Sequence, residues 1–189
     1  MLHEGKNQRN VRITEFGDRH LTPEYVSWLN NNQIVRFSEQ RHLKHTLDTC
    51  KNYVDEICGG DNHLLAVECH AERGWEHVGN ISIILDGPNS VADLSILIGS
   101  PLGHGIGSIA WSLAAEFAFN QLGVRKVLAG TMSVNSRMRG VFAKTGMREV
   151  AWVPSRYILE GREVAMVIAE GALKGFEDHI RSYGSGLNS

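Results

Sequence analysis

Glycines at 103, 105 and 107 alternate between an apolar run (93–98) and the start of a helical pattern. Residues without a Cβ let a ligand approach the main chain. A helix start adds N–H groups without intrahelical partners and the positive end of the helix dipole. In that order the residues form a cradle for a pyrophosphate, so the chain is expected to bind a phosphorylated ligand. Two common nucleotide motifs do not fit. The triphosphate loop requires a lysine after its second glycine, and no lysine lies between Asp93 and Gln121. The dinucleotide fingerprint is G-x-G-x-x-G with an acid about 20 residues on; here the loop reads G-x-G-x-G, and Arg125 and Lys126 follow.

The other reactive residue types do not assemble by spacing. His42 and His45 lie three apart and Cys69 and His70 are adjacent, neither being the ligand spacing of a zinc site. No metal is expected. Cys69 has no His or Asp placed by sequence to activate it as a nucleophile. Three cysteines, at 50, 58 and 69, are an odd number without a framework, which suits a reducing cytoplasm.

These residues must be positioned by one economical domain of 189 residues, 42% hydrophobic and 21% charged, with a formal net charge of −2. There is no basic excess to argue for nucleic acid, although Arg137, Arg139, Lys144 and Arg148 form a local cationic run. The polar first ten residues do not read as a signal peptide, and no run approaches the roughly 18 apolar residues of a membrane span. The expectation is a domain over 11–175, with a flexible start at 1–10 and a loose tail at 176–189.

Alternation of apolar and polar residues predicts a strand at 11–16, 63–69 and 77–85 read as paired strands joined by a polar turn, and 91–98, 127–132, 147–153 and 164–169 read as further strands. Thr22-Pro-Glu opens a first helix, and 46–57 forms a second with Leu47, Cys50, Tyr53, Val54 and Ile57 on one face. Residues 107–122 carry a broad apolar stripe, and 136–144 is a short fourth helix. The order is α+β, with strands predominating.

Three segments in this order resemble the GNAT superfamily of acyl-CoA N-acyltransferases, in its ribosomal-protein and amino-sugar N-acetyltransferase branch. Leu102-Gly-His-Gly105-Ile-Gly107 is similar to the family's Arg/Gln-x-x-Gly-x-Gly/Ala loop, with Leu102 at its first position. Asn135-Ser-Arg-Met-Arg-Gly-Val-Phe-Ala-Lys-Thr-Gly146-Met147 resembles its Asn…Ser…Leu-x-Glu-Lys-x-Gly-Phe segment. Trp28-Leu-Asn-Asn-Asn-Gln-Ile-Val-Arg-Phe-Ser-Glu-Gln-Arg41 looks like the branch's Trp-x-Asn-Asp-Pro-x-Val…Glu-x-Arg stretch. The resemblance spans residues 11 to about 170.

It implies a central, mostly antiparallel, splayed sheet of six or seven strands with about four helices, and acetyl transfer from acetyl-CoA to an amine by direct attack. The acceptor would be an amino-sugar-type metabolite or a peptide N-terminus, the protein a monomer or homodimer, with no membrane or nucleic-acid partner. Backbone groups of Leu97 and Gly99 would pair with pantetheine, and amides of Gly103, His104, Gly105, Ile106, Gly107 and Ser108 would hold the pyrophosphate. Asn135 would touch the pantetheine arm, and Phe142 stands where many members carry a Tyr that protonates the leaving thiolate.

An amine must be neutral to attack, which gives a carboxylate beside the thioester a purpose. Asp93 is the first candidate by analogy with the family's strand-borne glutamate, and Glu68 the second. Arg36, Glu39 and Arg41 lie on the segment that lines the family's acceptor side; two guanidiniums around one carboxylate would suit an amine near a phosphate or carboxylate. An intrachain Arg–Glu pair steadying that segment is the alternative. Phe142 and Met138, where acid and hydroxyl groups stand in relatives, favour a rival reading as a non-catalytic acyl-CoA-binding sensor.

Overall fold

The computed structural model describes residues 11–99, 105–174 and 176. Their elements run β1 (Val11–Glu15), α1 (Pro23–Leu29), α2 (Leu47–Cys58), β2 (His63–Ala71), β3 (Gly74–Asp86), β4 (Val91–Ile98), α3 (Ile106–Asn120), β5 (Lys126–Met132), α4 (Ser136–Lys144), β6 (Arg148–Leu159) and β7 (Arg162–Gly171). Short 3-10 turns at Asp18–His20 and Glu39–His42, which periodicity does not reveal, complete the list. The seven strands form one sheet in the order β1-β2-β3-β4-β5-β7-β6. Every pairing is antiparallel except β4 with β5. The α+β fold and the mostly antiparallel sheet therefore match expectation.

Local chemistry explains the helix boundaries. Thr22 and Thr46 cap α1 and α2 with their hydroxyls, accepting from the N–H groups of Tyr25 at 3.1 Å and Thr49 at 3.2 Å, as N-cap residues do. Asn135 caps α4 by accepting from the Met138 N–H at 3.2 Å. Gly105 begins α3 at φ +77°, a left-handed conformation that glycine adopts without Cβ strain.

The two sheet faces carry different cores. On one, Ile81, Ile83, Ala92 and Leu94 pack with α3 and α4 around Trp111 and Phe142. Trp111 is fully buried, and α3 is enclosed on most sides. On the other, Leu64 and Ala66 pack under Tyr25, Trp28, Cys50 and Val54 of α1 and α2, with Leu97 joining them. No helix among the described residues is long and apolar enough to cross a membrane.

β6 runs six residues beyond its expected end. Pro154 reads as a terminator, yet the strand continues through a register shift between Val153 and Tyr157, with Ser155 at φ +50°. As the sheet's edge strand, β6 can accommodate a proline that donates no ladder hydrogen bond.

His77 is packed among the rings of Phe16, His20, Tyr25 and Trp28 at centroid distances of 4.9–5.9 Å. Burial, reinforced by the neighbouring His20, pushes it down to about 4. Burial also lowers His20, against the pull of its hydrogen bond to Glu68. An unfolded imidazole titrates near 6.5, so below that pH the unfolded chain binds protons that the folded chain refuses. Stability should be complete above about pH 6.5 and fall by about 3 kcal/mol from His77 alone as pH drops through 4. Chemical denaturation across this range should show the loss, and His77→Phe should flatten it. An unchanged slope in that variant would assign the effect elsewhere.

Candidate functional site

β4 and β5 pair in parallel over only three positions, Val91–Lys126, Ala92–Val127 and Asp93–Leu128. Beyond them the strands separate. β4 stays bonded to β3 as far as Ile98, and β5 to β7 as far as Met132. A cleft of about 1390 Å³ opens there, with Leu94–Ile98 on one wall and Gly130, Thr131, Asn135 and α4 on the other. Gly105, Ile106, Gly107 and Ser108 line it at the N-terminus of α3.

The start of α3 suits an anion. Among the described residues nothing lies within 4 Å of a Cβ added at Gly105, and one at Gly107 would meet only Ile98 and Val141 at 3.9 Å. Packing against the described residues therefore does not demand glycine at 107. Ile106 and Gly107 stand in the first turn, where N–H groups lack intrahelical partners. Ser108 corrects the expectation for its amide, because that N–H is bonded to the Gly105 carbonyl at 3.0 Å. Gly103 and His104 lie outside the described residues.

Leu97 and Gly99 require a similar correction. The Gly99 N–H donates to the Val78 carbonyl at 2.9 Å, on the β3 side. Backbone groups of successive strand residues point to opposite edges, so Leu97 faces β3 as well. Ile96 and Ile98 turn theirs to the gap. Gly99 is a glycine for packing: an added Cβ would enter the Trp28 ring.

Asn135 lines the cleft with its side chain engaged, capping α4 and donating to Thr131 Oγ1 at 3.0 Å. Phe142 does not line it. The ring is 1% exposed and packs edge-on against Trp111 at 6.0 Å, on the core side of α4. Helical periodicity carries Met138 and Val141 to the cleft and turns 142 inward.

Of the two carboxylate candidates, Asp93 stands where strand pairing ends, one residue before the cleft wall begins. Although its residue is open to solvent, partial desolvation pushes its carboxyl above the usual range. Glu68 is on β2, away from the cleft lining, with Arg12 Nε at 2.6 Å, Arg19 Nη2 at 2.9 Å and His20 Nε2 at 3.1 Å. Burial would raise its pKa, but those hydrogen bonds and charges outweigh it and hold the carboxyl low. It is a structural anion with its oxygens in use.

Arg36 and Glu39 do line the cleft, but Arg36 forms a two-pronged pair with Glu160 at 3.1 Å. Arg41 donates to Glu39 at 2.7 Å and to the carbonyls of Ser38 at 2.7 Å and Ile158 at 3.2 Å. The pairing that steadies this segment is thus the arrangement present. Sequence reasoning missed residues on the same wall. Tyr53 and Asn80 line it, beside Ser95, whose Oγ lies 2.6 Å from Ser82 Oγ across the ladder. His45 also lines it, with its backbone N–H and carbonyl both bonded to the Asn30 amide at 2.9 Å. Polar residues on a mostly buried strand were the available signal for Asn80 and Ser82. Nothing in the spacing marked His45.

Arg41→Ala should cost about 1–2 kcal/mol by removing bonds to two carbonyls, a fall in melting temperature of roughly 3–6 °C at this size. Acceptor kinetics measured on the same variant should stay unchanged; a raised KM without loss of stability would restore the acceptor role to Arg41.

Comparison with known proteins agrees with this geometry. The family model for the acetyltransferase (GNAT) domain matches residues 10–148. No curated protein matches the chain in sequence. Among solved structures, spermidine N-acetyltransferase from Vibrio cholerae, in complex with CoA and spermine, superposes with a TM-score of 0.77 at 15% identity, over 89% of this chain and 98% of that one. Mycobacterium smegmatis RimJ, in complex with CoA-disulfide, gives 0.77 at 15% identity, over 92% and 89%. A GCN5-related N-acetyltransferase from Brucella melitensis gives 0.75 at 17% identity, over 98% and 84%. A sheet split beyond a three-residue parallel pairing, a helix start at its mouth and a family match over most of its length place this chain in the GNAT acetyltransferase family.

Proposed function

We propose that this protein transfers an acetyl group from acetyl-CoA to a primary amine by direct attack. The observation that carries the reading is the separation of β4 from β5, which leaves one strand edge unpaired beside a helix N-terminus. An extended pantetheine arm can use that edge as a strand would, with its pyrophosphate at Gly105–Gly107. Acetyl-CoA is a substrate here. The amine lone pair attacks the thioester carbonyl carbon, the C–N bond forms, and the C–S bond breaks with departure of the CoA thiolate.

The ammonium must first lose a proton. Asp93 supports a base role by its place at the end of the strand pairing, beside the cleft wall, and partial desolvation raises its carboxyl, which makes it a stronger base. Phe142 leaves no phenol at the position of the family's usual acid, so the thiolate takes its proton from water or an N–H. The cleft's charged lining comprises Arg36, Glu39, Lys44, Arg137 and Lys144. Among the described residues cations outnumber the one carboxylate of this lining, which favours an amine carried by an anionic or neutral molecule over a polyamine.

A thiol-release assay with acetyl-CoA and glucosamine 6-phosphate, spermidine or a tripeptide with a free N-terminus tests the activity. Binding of CoA without turnover of any amine would instead select the sensor reading. Gly105→Val should weaken CoA binding at least tenfold, since a β-branched residue is strained at φ +77° and would occupy the cradle. Unchanged CoA affinity in the folded variant rejects the cradle. Asp93→Asn should lower turnover at neutral pH by roughly 10²-fold. Raising the pH should recover part of it, because more of the amine is then already neutral; full activity at neutral pH would remove Asp93 from the reaction.

A further inference from the structure

Three buried side-chain atoms among the described residues have no hydrogen-bond partner, and one of them is Asn80 Oδ1. Asn80 is 8% exposed and lines the cleft. Folded proteins leave very few buried polar atoms unpaired, because the oxygen has given up water and gained nothing. Its neighbours on the same face are treated differently. Ser82, two residues along β3, shares a 2.6 Å hydrogen bond with Ser95, its cross-strand partner. Asn80 instead stands opposite Leu97, which offers its side chain no donor.

Register fixes how these groups lie. Asn80 is diagonal to Ser95, a separation of about 7–8 Å between such positions. One nitrogen making two hydrogen bonds of about 2.9 Å spans most of that distance, and the Asn side chain supplies the rest. Asp93 follows Ser95 on the same face of β4. The other edge of β4 borders the split, so a nitrogen held here lies beside the strand against which the thioester would be laid.

We propose that Asn80 Oδ1 receives an N–H of the acceptor and docks its amine against Ser95, on the side of β4 that carries Asp93. This rests on the acetyl-transfer reading above and narrows its substrate class. A neutral primary amine has two N–H groups, one for Asn80 and one to be lost in the reaction. A secondary amine has a single N–H and cannot serve both. The site therefore takes primary amines and rejects their N-methyl counterparts. Amide and hydroxyl groups around the nitrogen, in place of carboxylates, also let it bind in the neutral, reactive form.

Asn80→Leu, of similar volume and without a polar atom, tests the proposal with whichever of glucosamine 6-phosphate, spermidine or the tripeptide the wild type acetylates. The KM for that amine should rise tenfold or more, while the KM for acetyl-CoA stays the same. In the absence of substrates the melting temperature should rise by about 2–4 °C, because an unpaired buried oxygen has been removed. Asn80→Asp, which keeps an oxygen in place, should hold the amine KM within about threefold of wild type, and the N-methylated form of the amine should be a poor substrate for the wild type. An unchanged amine KM in Asn80→Leu, or a lower melting temperature, overturns the docking role and leaves acetyl transfer standing. Failure of the wild type to release thiol with all three amines overturns both.

Discussion

The architecture depends on the short parallel pairing between β4 and β5. Three registered positions hold the strands together at one end, and nothing pairs them beyond Asp93 and Leu128. The split is tolerable because each diverging strand keeps its other neighbour, β3 for β4 and β7 for β5. Only one edge of each strand gives up its hydrogen bonds, and those edges face a cleft where a ligand or water can supply partners. The crossover through α3 follows from the same pairing, because parallel neighbours require a long connection. That connection brings the α3 N-terminus to the mouth of the gap. The strand edge and the helix dipole, the two features that can hold a long phosphorylated thioester, are consequences of one local geometry.

The distribution of charge complements it. Among the described residues, several carboxylates are committed to guanidinium or ammonium partners away from the split. Glu68 is held by Arg12 and Arg19, Glu149 by Arg139, and Glu170 by Lys126 and Arg148. Such pairs fasten strands: Arg12 and Glu68 stand opposite each other on β1 and β2, and Arg148 and Glu170 on β6 and β7. The polar groups on the α2 face of β3 and β4 are instead an amide and hydroxyls, with Asp93 at the end of the row. The cleft thus carries little fixed negative charge to compete with CoA or to hold an amine in its charged form.

Where the sequence reading succeeded, the local signal and the final environment agreed. The bounds of β4 and α4 were legible from the residue pattern, and the opening of α1 from Thr22 and Pro23, because each follows from interactions within a few residues. It failed where distant packing decides. Phe142 matches a family position by spacing, yet Trp111, thirty-one residues earlier, supplies the pocket that draws its ring inward. Arg36 and Arg41 looked like free oxyanion ligands until Glu160 and the Ile158 carbonyl, more than a hundred residues away, took up their donors.

The sequence alone determined the order of strands and helices, the glycine-rich turn into α3 and the family, since periodicity and turn chemistry are local properties written residue by residue. Only the tertiary structure decided which groups face the cleft. Backbone direction along β4 turned Ile96 and Ile98, rather than Leu97 and Gly99, to the gap, and the β3–β4 register set Asn80 opposite a leucine with its oxygen unpaired. Those outcomes depend on which strand lies alongside and at what offset, and that is set by the pairing of segments distant in the chain.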